Sequence, residues 1–168
     1  MKKEGLRVRS PGEDAMKNTL HLLLAIPLIA LIGCAGTPRP AGTRTALDLL
    51  RQREPGTAWD SQSLVHGDFD QDGIEDFALT GIKGDLFIVG IVKGPVGPSS
   101  RHSILKFPSG VADQDSLCSR DAKIEIEPIA EDDPPGRKGL GINLHDDQCD
   151  AFHIYWDPEQ NDYDWWRL

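Results

Sequence analysis

The sequence predicts a mainly β fold: a small antiparallel sheet or sandwich of about seven strands, with one N-terminal helix packed on it. Three observations carry that expectation. Between residues 63 and 168, short apolar or alternating runs recur at spacings of about ten residues, each closed by glycine, proline or an acidic turn. The runs are rich in β-branched and aromatic residues, as in Leu86-Phe87-Ile88-Val89 and Phe152-His153-Ile154-Tyr155-Trp156. Only one stretch, residues 45–53, carries a helical period.

That helix comes first. Ala46, Leu47, Leu49 and Leu50 form an apolar stripe. Thr45 is placed to cap it, with Asp48 in capping-box position. Arg51 and Arg53 sit where the helix dipole favours cations, and Pro55-Gly56 stops the helix. Strands follow over residues 63–67 and 75–82. The run over 85–93 is apolar on both faces, as expected of a central strand. Further strands are expected over 102–107, 123–127 (Ile124 and Ile126 inward), 140–144 and 152–156, with 163–168 as an edge strand.

Between the first two strands lies Asp68-Phe69-Asp70-Gln71-Asp72-Gly73-Ile74-Glu75-Asp76. So many carboxylates in one tight turn repel each other unless a cation sits among them. Ca²⁺ takes six to eight oxygen ligands at about 2.3–2.6 Å, and alternate carboxylates with a backbone carbonyl supply them from one loop. Gly73 stands where such a loop must turn sharply. Leu79 stands where a helix–loop–helix site has its bidentate glutamate, and strands flank the loop. The stretch 66–80 resembles the calcium loops of FG-GAP and VCBS repeats, in which D-x-D-x-D-G-x-x-D joins two β-strands. That resemblance implies a Ca²⁺ ligand set of Asp68, Asp70, Asp72, Ile74 through its carbonyl, and Asp76. The competing reading is an acidic, solvated turn with no ion. The motif occurs once, so a propeller is not expected. The acidic turns at Asp113, Asp146-Asp147 and Asp162 lack the full spacing and read as solvated.

The N-terminal part has a different character. Met16-Lys17-Asn18 precedes an apolar run, residues 20–32, of signal-peptide length and too short to span a bilayer. Its end, Leu31-Ile32-Gly33-Cys34, resembles the lipobox of bacterial lipoproteins. The resemblance implies a signal peptide over residues 1–33, a lipid-modified Cys34 and a cell-envelope location. Ala35, in the position after that cysteine, favours the outer membrane over the inner. The alternative is ordinary signal cleavage beside an incidental cysteine. Met16 is read as the true start, with a long charged n-region as the other option. Residues 34–43 form a Pro/Gly tether, and residues 44–168 form a single β-rich domain.

Charge narrows the partners. The chain has 18 Lys and Arg against 27 Asp and Glu, a net −9. Residues 1–33 hold five of the basic and three of the acidic residues, so the remainder stands at −11. Such a surface excludes nucleic acid and anionic lipid headgroups, leaving the acyl chains on Cys34 as the membrane attachment. Cys118 and Cys149 remain as an even pair in an exported chain, the pattern of a structural disulfide.

No catalytic motif is present: no G-x-S-x-G, no H-E-x-x-H and no phosphate-cradling glycine loop. His66, His102, His145 and His153 read as sheet-surface residues. The expected role is structural or interactive at the envelope, without catalysis. The alternative is a small envelope enzyme or enzyme inhibitor acting on glycans through the acidic turns and the C-terminal tryptophans. Trp165 or Trp166 gathered with several aspartates in one cleft would favour it. A third option is a module that binds an envelope protein along an exposed sheet edge.

Overall fold

The computed structural model describes residues 42–110, 113–129 and 138–167. The expected signal segment, Cys34 and most of the expected tether lie outside the described residues. One helix, α1 (Thr43–Arg53), precedes eight strands: β1 (Ala58–Gly67), β2 (Asp76–Lys83), β3 (Leu86–Val92), β4 (His102–Pro108), β5 (Lys123–Pro128), β6 (Leu140–His145), β7 (Phe152–Asp157) and β8 (Asp162–Trp166). They form two four-stranded antiparallel sheets, ordered β1-β2-β3-β4 and β5-β6-β7-β8, so every strand pairs with its neighbour in sequence. The mainly β expectation is met, with eight strands where about seven were expected.

The two sheets share one apolar core. Ala78, Phe87, Val89, Ile91 and Phe107 of the first sheet meet Ile124, Ile142, Leu144, Phe152, Ile154 and Tyr163 of the second. Phe152 lies between Phe107 and Trp165, with ring centroids 4.7 and 5.0 Å away. Each such aromatic pair contributes about 0.5–1.5 kcal/mol beyond its buried area. Alternation along β2 explains why this strand is buried on both faces. Ala78 points into the shared core, whereas Phe77 and Leu79 point to the other side, where Ala46, Leu47, Leu49 and Leu50 of α1 cover them. The close seat of the helix requires Gly90: a Cβ there would lie 2.6 Å from Trp59 and 2.8 Å from Leu50. Glu54, just past the helix, accepts from Lys83 at 3.1 Å and Lys106 at 2.9 Å. These lysines, Lys106 foremost, hold its carboxyl below the usual range.

Three local expectations need correction. The helix begins at Thr43, and its cap is Gly42 in a left-handed conformation (φ 106°) with no side-chain cap. Asp48 faces Arg51 at 3.5 Å instead of closing a capping box. Ile126 is 43% exposed, because β5 is an edge strand whose inner face is left uncovered there. Asp146 is not a solvated turn residue. It is buried and accepts backbone N–H groups of Ser119 (2.8 Å), Cys149 (3.0 Å) and Gln148 (3.1 Å). Burial alone would raise its carboxyl, but these donors outweigh it and hold the group below the ordinary value. Asp146 thereby organises both arms of the Cys118–Cys149 disulfide, whose Cα atoms are 6.1 Å apart.

Candidate metal centre

The acidic loop closes the β1–β2 hairpin. Gly67 and Asp76 are the last register pair of the two strands, and residues 68–75 bulge between them. The loop turns through two left-handed residues, Gln71 (φ 62°) and Gly73 (φ 85°). Successive carboxylates bind the backbone just ahead of them. Asp68 Oδ2 accepts from Gly73 N at 3.0 Å, Asp70 Oδ1 from Asp72 N at 3.2 Å, and Asp72 Oδ1 from Ile74 N at 2.8 Å. Alternate aspartates are the residues able to make such turns, since a short side-chain oxygen reaches the N–H two residues on.

Within this loop, carboxylate oxygens of Asp68, Asp70 and Asp76 lie within 4.8 Å of one another. Oxygens on a shell about 2.3–2.6 Å from one ion lie no farther apart than about 4.6–5.2 Å, so the span fits a single cation. Asp72, the third aspartate of the alternating run, is not in this group, and Ile74 is 41% exposed on the loop, its side chain beside Gly94. The structure thus brings together three of the four aspartates that the spacing singles out.

The three carboxylates are supported unequally. Asp76 is fully buried and fully served: Oδ1 accepts from Gly94 N at 2.9 Å, while Oδ2 accepts from Phe69 N and the Tyr163 hydroxyl, both at 3.1 Å. Its carboxyl is nevertheless pushed above the ordinary range, first by burial, with the Asp70 charge adding to it. Tyr163 is likewise held as a neutral hydroxyl by burial and by the Asp76 carboxylate. Asp70, its side chain 1% exposed, pairs through Oδ2 with the Lys93 ammonium. That ammonium also stands 4.5 Å from the centre of the Trp156 ring. Asp68 Oδ1 is buried and has no hydrogen-bond partner. Such an atom forfeits its hydration without replacement, which costs about 1–3 kcal/mol, and more for a charged group.

Lys93, Tyr163 and Trp156 were not legible as site residues. Tyr163 stands 87 positions from Asp76, and no local pattern links them. His66 flanks the loop and touches it through Glu75 (Nδ1 to Oε1, 2.7 Å), outside the trio. His145 and His153 lie on their sheet beside Asp147 and Glu127. The terminal aromatics divide. Trp165 packs on Phe107 and Phe152, whereas Trp166 stacks on His153 on the other face, with ring centroids 4.3 Å apart. A cleft of about 520 Å³ is lined by Trp165, Arg167, Asp113, Asp115, Asp150 and the disulfide.

The chain matches no protein-family model, no curated protein and no solved structure.

Proposed function

We propose that this chain is a lipid-anchored cell-envelope protein in which Ca²⁺, held by the loop of Asp68, Asp70 and Asp76, fixes the β1–β2 hairpin for a structural or interactive role without catalysis. The observation that supports it best is Asp68 Oδ1, a carboxylate oxygen buried beside two other carboxylates and left without a donor. Three carboxylates against the one Lys93 ammonium leave a charge of −2, which one divalent cation cancels. All-oxygen donors suit a hard ion such as Ca²⁺ rather than zinc, which is held by sulfur and imidazole. In this reading the Ile74 carbonyl joins the three carboxylates, while Asp72 stays outside the group on Ile74 N. The anchor on Cys34 and the outer-membrane preference rest on the sequence of residues 16–35 alone.

Loops of extracellular modules bind Ca²⁺ at about 10⁻⁴–10⁻³ M. With 10 mM Ca²⁺, binding at that strength stabilises the fold by about 1.4–2.7 kcal/mol. Thermal melting of residues 37–168 with Ca²⁺ and with a chelator tests this. A Tm several degrees higher with Ca²⁺, abolished by Asp68→Asn, is expected. Superimposable curves would remove the metal from the reading.

The cleft beside Trp165 favours a second reading, action on or binding of glycans. An indole and three carboxylates around one concavity are the elements that stack on and hydrogen-bond a sugar ring. Indole fluorescence during titration with envelope glycan fragments, repeated on Trp165→Phe, tests it. An unchanged spectrum would remove this reading.

A further inference from the structure

Lys93 lies one residue past β3, and the aspartates lie in the loop between β1 and β2. Its ammonium sits on Asp70 Oδ2, with Asp70 almost wholly out of water and Lys93 itself mostly buried. The Trp156 ring, from the second sheet, lies against the ammonium. A buried carboxylate and ammonium this close offset one another's charge, although Asp70 Oδ2 makes no aligned hydrogen bond, and the ring face adds attraction for a partly desolvated cation. Asp70 is also one of the three carboxylates that converge. The Asp70 carboxylate therefore faces two claimants, the ammonium of the chain itself and a metal from solution.

We propose that Lys93 is a built-in competitor of the metal: its ammonium partly neutralises the aspartate trio when no ion is bound and must leave Asp70 when one enters. This rests on the calcium reading above. The physical ground is like-charge repulsion. A divalent ion within bonding distance of Asp70 and an ammonium on the same carboxylate repel strongly in a site with little water. Occupation by the one weakens the other, and the coupling is reciprocal. Lys93 thus sets the metal affinity low and keeps the empty loop folded. Both properties suit a site that follows changing external Ca²⁺ rather than holding the ion permanently.

Two measurements test this. The first compares Ca²⁺ affinity, by calorimetry, between the wild-type domain and Lys93→Met, which keeps the length and apolar stem of the side chain. A gain on the order of tenfold or more is expected for the variant. The second uses the wild-type protein alone. The Lys93 ammonium stands over the Trp156 ring, 4.5 Å from its centre, so the adjoining ε-methylene protons are expected to be shifted by the ring current. Addition of Ca²⁺ is expected to move them toward the ordinary lysine position. Equal or weaker binding by Lys93→Met, with stationary lysine signals, would overturn the inference and leave the calcium reading intact. Binding by neither protein would overturn both. Binding by Lys93→Met alone would establish the lysine as the resident cation and restrict the calcium reading to the variant. Should Lys93→Met fail to fold in chelator, the wild-type lysine signals decide by themselves.

Discussion

Replacing Tyr163 with Phe removes one hydroxyl from the junction between the acidic loop and the second sheet. Tyr163 is 6% exposed, and its hydroxyl donates to Asp76 Oδ2 at 3.1 Å. Asp76 keeps two other donors, the N–H groups of Gly94 and Phe69. The loss is therefore one hydrogen bond to a buried charged acceptor, about 1.5–3 kcal/mol. For a domain of this size, that lowers Tm by roughly 5–12 °C. The cost also depends on pH in a fixed direction. Asp76 has its folded value raised above the ordinary 3.8, so its contribution to stability is full below that value and is lost as pH rises through the folded one. The Tyr163 bond opposes this loss by favouring the carboxylate. Without it the folded value climbs further, so the gap between wild type and Tyr163→Phe must widen from acid to neutral pH. Urea unfolding in chelator at several pH values measures it, with Asp76→Asn and the double variant completing a cycle. A gap under about 0.5 kcal/mol at pH 7, or one that narrows as pH rises, would refute the assignment of Asp76 as a buried carboxylate held from the second sheet.

Other outcomes follow from the same geometry. Serine at both Cys118 and Cys149 opens a loop with a sequence separation of 31, and the chain-entropy relation puts the loss at about 3.7 kcal/mol, read as a lower urea midpoint. Gly73→Ala meets no atom within 4 Å but must hold φ near 85°. Its cost is therefore conformational, about 1–2 kcal/mol in thermal melts, and Asn at this position is expected to recover part of it. Asp146→Asn weakens several backbone bonds to one carboxylate, about 1.5–3 kcal/mol at neutral pH. Because the folded carboxyl lies below 3.8, its stabilisation is present above that value and lost as pH falls through the folded one. The variant must accordingly show a shallower acid limb in unfolding followed by circular dichroism.

The parts of this molecule that were legible are those whose determinants are local. Leu86-Phe87-Ile88-Val89 announced a strand covered on both sides, and β3 is buried on both faces between α1 and the second sheet. The acidic loop was legible because its turns are made by each aspartate with an N–H two to five residues on. What the spacing could not separate was the work of each carboxylate. Asp68, Asp70 and Asp72 look alike in sequence, yet Asp72 stays outside the converging group. Asp146 was misread for a related reason: an acidic pair before Gln148 and Cys149 looks like a surface turn unless the segment bearing Ser119 is known to fold over it. The cap failed because Gly42 starts the helix from a left-handed conformation, which leaves Thr45 inside the first turn. Lys93 reaches the loop from just past β3 through the β2–β3 pairing, and Tyr163 from β8 through the packing of one sheet on the other, neither of which a local pattern announces.

That long-range support changes what the loop does in the fold. An acidic loop that only closed a hairpin would have its carboxylates served from within β1, β2 and the turn itself. Here Asp76 is bound by Tyr163 of β8, and Asp70 is tied through Lys93 to Trp156 of β7. Both ties cross from the first sheet to the second at one end of the shared core. Water exclusion is non-directional and therefore indifferent to which of several close-packed registers two apolar faces adopt. Directional bonds to buried charges are not indifferent, since a shift of an ångström leaves a carboxylate without its donor. The acidic residues in this loop therefore position the two sheets as well as the hairpin. A substitution that disturbs the aspartate trio is for that reason felt in β7 and β8, which share no strand pairing with the loop.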